Sequence, residues 1–138
     1  MDDIFVGRLM SSPVTTVSAD ASAESVAEQM LDEGISSVVV VDSANQIEGI
    51  LTSTDFVRIA AQGGRTSDVT VADPMTREVE TTTANDSIEH VADLMIDHAI
   101  HHVPVVDDTE GVVGIITTTD LTAYLSGIED PSPTHVAN

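Results

Sequence analysis

Hydrophobic and polar positions follow two rhythms along this chain, and the whole succession of rhythms occurs twice. Val14-Thr15-Thr16-Val17 alternates with period two and predicts a short strand or extended segment. Val26, Ala27, Met30 and Leu31 then fall at helical spacing and predict a helix over 22–33, with Asp20 or Ser22 as its cap and Gly34 as its stop. Two β-branched runs follow, Val38–Val41 and Ile47–Leu51, separated by polar turn residues at 43–46. A second helix is expected from Thr54 or Asp55. The same order returns downstream. Val79-Glu80-Thr81-Thr82 is the extended segment, and Val91, Ala92, Leu94 and Met95 line a helix over 87–98 capped by Asp86 or Ser87. Val103–Val106 and Val112–Ile116 flank a turn at 108–111, and a last helix starts at Thr119 or Asp120.

The two halves are one unit duplicated. GILTSTD at 49–55 recurs as GIITTTD at 114–120, a shift of 120 − 55 = 65 residues. With that shift, residues 6–56 and 71–121 agree at about 21 of 51 positions without a gap. Periodicity thus predicts an α/β (α+β) fold of two β-α-β-β-α repeats, over 6–62 and 71–126, joined by a linker at 63–70. A unit of ~55 residues buries too little surface to cover its own sheet, so the repeats are expected to pack around a pseudo-two-fold axis. Residues 127–138, with Pro131 and Pro133, read as a flexible tail.

Charge narrows the functions. Four cationic side chains, all arginine (Arg8, Arg58, Arg65, Arg77), face 24 acidic ones for a net charge of −20. The 41% hydrophobic content in regular patterns argues against disorder. The balance instead fits a halophilic protein working in molar salt, where the Debye length shrinks to ~3 Å. A surface that tracks nucleic-acid phosphates needs clustered Lys and Arg, so that partner is excluded. No cysteine is present, which removes disulfides, thiolate metal sites and cysteine nucleophiles. Met1-Asp2-Asp3 lacks the basic start of a secretory signal, and no apolar run nears the ~20 residues of a membrane span. A soluble, cytoplasmic protein is expected.

The candidate chemistry lies in Gly-x-x-Thr-x-x-Asp, at the junction of a buried strand and a helix. One reading is structural: Gly49 allows close backbone approach, Thr52 or Thr54 caps the helix, and Asp55 complements its positive end. The other is a phosphate-sugar site, in which threonine hydroxyls and free N–H groups meet phosphate and the carboxylate accepts both hydroxyls of a cis-diol.

These motifs, with SSVVVVD and HHVPVVD before them and Met10-Ser11-Ser12-Pro13-Val14-Thr15-Thr16-Val17 and Met75-Thr76 opening each copy, resemble those of cystathionine-β-synthase (CBS) domains over residues 6–125. The resemblance implies a regulatory CBS pair (a Bateman module) standing alone. It would bind AMP, ADP, ATP or S-adenosylmethionine in clefts between the repeats and signal to a separate, unidentified protein partner. It also implies that Asp55 and Asp120 hold the ribose hydroxyls, while Thr52, Thr54, Thr117 and Thr119 contact ribose or phosphate. His101 and His102 occupy positions that are basic and phosphate-facing in regulatory relatives, and Ser36 and Ser37 stand there in the first copy. Carboxylates around the histidines are expected to favour imidazolium. Adenine is expected against Thr16 and Val38, or Thr81 and Val103.

Other readings stand beside these. Arg58 either reaches a phosphate or pairs with a nearby carboxylate. Asp97, His98, His101 and His102 have spacings that suit a metal, or equally a solvated helix end, and no metal site is expected. Phe56, Ile59, Ala60, Leu121, Tyr124 and Leu125 exceed what one small core needs, which suggests a homodimer through the helices starting near Asp55 and Asp120. No nucleophile–base arrangement or dinucleotide fingerprint appears, so no enzyme is expected. The alternative to a ligand sensor is a ligand-free structural or dimerisation scaffold.

Overall fold

The structure, a computed structural model, describes residues 4–127. The expected flexible tail, apart from Gly127, lies outside them, as do Met1–Asp3. The elements run α1 (Val6–Leu9), β1 (Thr16–Val17), α2 (Ala23–Glu33), β2 (Ser37–Val41), β3 (Ile47–Thr52) and α3 (Ser53–Ala61), then a 3-10 turn (Thr66–Asp68). They continue as α4 (Ile88–His98), β4 (His102–Asp107), β5 (Gly111–Thr117) and α5 (Thr118–Ser126). The fold class is mixed α/β. Among the described residues no helix is long and apolar enough to cross a membrane.

The chain divides into two compact units, and neither is a contiguous repeat. One is Thr15–Val79; the other takes the described residues up to Val14 together with those from Glu80 onward. Each unit therefore includes the opening segment of the other repeat.

In the Thr15–Val79 unit, β1 lies parallel to β2 (Thr16 beside Val39), and β2 pairs antiparallel with β3 (Val38 beside Leu51). The all-valine run of β2 suits this position, since β-branched side chains fill both faces of a covered strand. Val26 and Met30 of α2 pack on Val38, Val40 and Leu51, and Val71 and Met75 complete the core. Val71 N–H donates to Ala21 O (2.9 Å), and Thr76 bridges to Ile50 through a reciprocal pair of backbone bonds of 2.9 and 3.0 Å.

That docking explains the motif glycine. A Cβ on Gly49 would lie 2.8 Å from Met75 Sδ and 2.8 Å from the Thr76 carbonyl oxygen. The backbone oxygen has nowhere to go, so only glycine fits.

The second unit repeats the arrangement with the other opening segment. Val91 and Met95 of α4 pack with Val103, Val105 and Ile116, and Val6 fills the place that Val71 fills in the first core. Ser11 bridges to Ile115, and a Cβ on Gly114 would meet Met10 Sδ at 2.8 Å and Ser11 O at 2.9 Å.

One expected strand is missing here. Thr82 makes a single parallel bridge to Val105, and Thr81 makes none. In the first unit Val39 N–H donates to Thr15 O (3.2 Å). Its counterpart at position 104 is proline, which has no N–H to give, so the ladder loses that rung. Asp86 also draws the neighbouring chain into a turn: its Oδ2 accepts from Thr82 Oγ1 (2.7 Å) and Thr83 N–H (2.9 Å).

Helix ends follow the sequence at three positions. Ser22 and Ser87 precede α2 and α4, and Ser87 Oγ accepts from His90 N–H. Gly34 stops α2 in the left-handed region at φ 67°. The equivalent stop of α4 is Ala99 at φ 54°, a conformation that an L side chain adopts at a penalty. The last helices start slightly earlier than expected, at Ser53 and Thr118, with Thr52 and Thr117 as their N-caps.

Candidate functional site

Each unit carries its motif where the second strand of its hairpin turns directly into a helix. At the first motif, Thr52 N–H donates to Asp55 Oδ2 at 2.8 Å and closes a capping box at the start of α3. At the second, Thr117 N–H donates to Asp120 Oδ2 at 2.8 Å, and Asp120 N–H returns a bond to Thr117 Oγ1 at 3.2 Å. Both carboxylates are buried, at 4% exposure for Asp55 and 3% for Asp120. Thr52 and Thr117 are the capping residues; Thr54 and Thr119 are the second residues of their helices, the former exposed and the latter half-buried.

The two carboxylates differ in what lies beyond the cap. Arg58 Nη1 meets Asp55 Oδ1 at 2.8 Å, so the carboxylate pairing is the one realised of the two readings of this arginine. Position 123, the counterpart of Arg58, is Ala123. Burial pushes the Asp120 carboxyl above its ordinary value, against smaller opposing effects from the Thr117 N–H and hydroxyl and from Ser11.

Across each hairpin sit the residues expected to face a ligand's phosphate. Ser37 pairs with Thr52, and His102 pairs with Thr117. Directly opposed residues share a face with Cβ atoms ~4.5–5.5 Å apart, so Ser37 and His102 are neighbours of the caps. Ser36 and His101 serve through their backbones: Ser53 N–H donates to Ser36 O and Thr118 N–H to His101 O, both at 3.0 Å. The His101 side chain is exposed. Burial, reinforced by His101, depresses the His102 pKa. This reverses the expectation that surrounding carboxylates favour its imidazolium, because desolvation outweighs the general negative field.

Val38 and Val103, the expected adenine walls, are fully buried within their cores and offer a ligand no side-chain surface. A run of four valines has no alternation from which to tell core face from open face. Thr16 is exposed and Thr81 half-buried, each beside its sheet or bridge. Of the two caps the sequence offers for α4, Ser87 is the one realised, and Asp86 instead accepts from Thr82 and Thr83 in the stretch after Thr81. Among the described residues no three His, Asp or Glu side chains are grouped to hold a metal, and His98 instead contacts Glu80 at 3.4 Å.

The apolar residues of the last helices divide between core and surface. Ile59 is buried, and Phe56 and Leu121 pack against the cores of their own units. Ala60 and Leu125 remain exposed, together with Val57, which the sequence reading had passed over.

A strand-to-helix capping box repeated in two α/β units is the arrangement of CBS domains. The CBS domain family matches residues 6–62 and again 67–127, and the chain belongs to it, as a tandem pair. Among solved structures, a CBS domain pair in complex with 5′-methylthioadenosine and S-adenosyl-L-methionine matches with a TM-score of 0.85 at 32% identity, over 91% of this chain and 98% of that one. A CBS-domain-containing protein of Agrobacterium tumefaciens matches with a TM-score of 0.80 at 28% identity, over 88% and 99%. An uncharacterized protein of Methanopyrus kandleri is 32% identical over 88% of this chain. L-aspartate semialdehyde sulfurtransferase of Methanocaldococcus jannaschii is 33% identical over 88%. The chain spans 62% of the first of these two proteins and 23% of the second.

Proposed function

We propose that this chain is a non-enzymatic regulatory module that binds an adenosine-derived ligand and passes its occupancy to a separate protein partner. The observation that carries the reading is a buried carboxylate at a helix start in each unit, Asp55 and Asp120, each on a strand-to-helix turn beside threonine hydroxyls. A cis-diol offers two donors to such an acceptor, and charge-assisted bonds of this kind contribute ~1.5–3 kcal/mol each. The 32% identical CBS pair bound to methylthioadenosine and S-adenosylmethionine supports the same ligand class.

Charge favours the sulfur-containing adenosines over AMP, ADP or ATP. The chain carries −20, Arg58 is engaged by Asp55, and burial keeps His102 neutral at pH 7. Phosphates would find little compensation there, whereas a neutral thioether or cationic sulfonium meets no such penalty. Calorimetry in molar KCl against methylthioadenosine, S-adenosylmethionine, AMP, ADP and ATP tests this. Binding of the first two in preference to the nucleotides is expected, and no heat from any of the five would remove the reading.

A second reading has its own support. Both carboxylates already complete capping boxes, a task that needs no ligand, as in a structural or dimerisation scaffold. In either case we infer a homodimer in a salt-rich cytoplasm, using the exposed Val57, Ala60 and Leu125.

A further inference from the structure

The two motif carboxylates are equivalent in sequence and unlike in surroundings. Asp55 has both oxygens engaged: Oδ2 accepts from Thr52 N–H and Oδ1 from the Arg58 guanidinium, each at 2.8 Å. A ribose diol approaching Asp55 must therefore displace a charge-assisted bond before making its own. The Arg58 side chain, 58% exposed, lies on the solvent side of the buried Asp55 carboxylate. At Asp120 the position three residues on is Ala123, whose methyl group cannot reach across the carboxylate in this way. A diol at Asp55 must displace a guanidinium, whereas at Asp120 it competes only with the neutral Ser11 hydroxyl, a weaker partner, so the exchange gains more there.

We propose that Arg58 is a specificity-determining residue that closes Asp55 to ribose diols, so that the module takes one adenosine ligand per chain, at Asp120. This rests on the reading above that a motif carboxylate accepts the ribose hydroxyls. The closure is local, an i,i+3 contact on α3, and needs no movement elsewhere in the unit.

The test is calorimetry of the whole chain with 5′-methylthioadenosine, which carries no phosphate to attract Arg58. The wild type should bind about one equivalent. Arg58→Gln removes the guanidinium and should reveal a second equivalent, tightened by about tenfold or more relative to the wild-type Asp55 motif. Adding Asp55→Asn to that variant should take the second equivalent away again. Because Arg58 is largely exposed, the variant is expected to fold, and a cooperative thermal transition close to that of the wild type verifies it. Two equivalents of similar affinity in the wild type would overturn the closure while leaving the adenosine reading intact. So would one equivalent both before and after Arg58→Gln. Absence of heat in every protein would overturn both.

Discussion

Asp120 combines a structural task with a proposed recognition task, and two substitutions separate them. Asparagine keeps one carbonyl oxygen to accept from Thr117 N–H and lowers the desolvation penalty of the buried carboxylate. Asp120→Asn should therefore leave thermal stability nearly unchanged, while Asp120→Ala loses the cap and about 1 kcal/mol. Both should weaken an adenosine ligand at least about tenfold if the carboxylate holds the diol. A scaffold would show the stability difference between the variants with no ligand effect in either.

His102 gives a pH signature of known sign. Its folded-state pKa lies below the ordinary value near 6.5, so below that pH the unfolded chain takes up a proton that the folded chain resists. Stability should fall as pH drops from about 6.5 through the lowered value, and His102→Gln should flatten the decline in melting temperature between pH 7 and pH 5.5. Asp120 acts oppositely at lower pH: its raised pKa lets the folded state protonate first, which adds stability between that value and 3.8. At this scale the sequence made Thr52, Asp55, Thr117 and Asp120 legible, because a capping box is written in residues three apart. It left Val38 and Val103 ambiguous because facing is a property of strand pairing.

Among the elements, the two amphipathic helices form one comparison. α2 ends on Gly34 and α4 on Ala99, both left-handed. Ala99→Gly should relieve the steric penalty of a Cβ at φ 54° and, after the added freedom of the unfolded chain, stabilise by up to about 1 kcal/mol. Gly34→Ala should do the reverse, and the pair of melting curves checks both. The helices and hairpins were legible because each runs long enough to show a period. The four residues of α1 and the three of the 3-10 turn are too short for any periodicity. The strand expected at Val79–Thr82 shrank to one bridge for want of a donor at Pro104, two elements away in the chain. No pattern within 79–82 itself could have revealed it.

For the whole molecule, charge is the governing quantity. With a net charge of −20 and no lysine, dilution from molar KCl to ~0.1 M lengthens the Debye length from ~3 to ~10 Å and exposes like-charge repulsion. The melting temperature should drop clearly on that dilution. An unchanged or higher value at low salt would remove the proposal of adaptation to salt. The duplication was the most legible feature of all, since 65-residue self-similarity needs no structure to detect. What it concealed is which residues belong together in space. Each compact unit holds the opening segment of the other repeat: Val71 and Met75 complete one core, Val6 the other, and the motif glycines exist to receive them. A single repeat made alone would therefore carry a segment with no place to dock and a core missing its cover. Two such chains could satisfy each other by trading those segments, a reciprocal swap between molecules. On this view, joining the repeats in one polypeptide turned an encounter that depends on concentration into a permanent one. A fragment ending in the linker is then expected to be either unfolded or paired, with no stable solitary form.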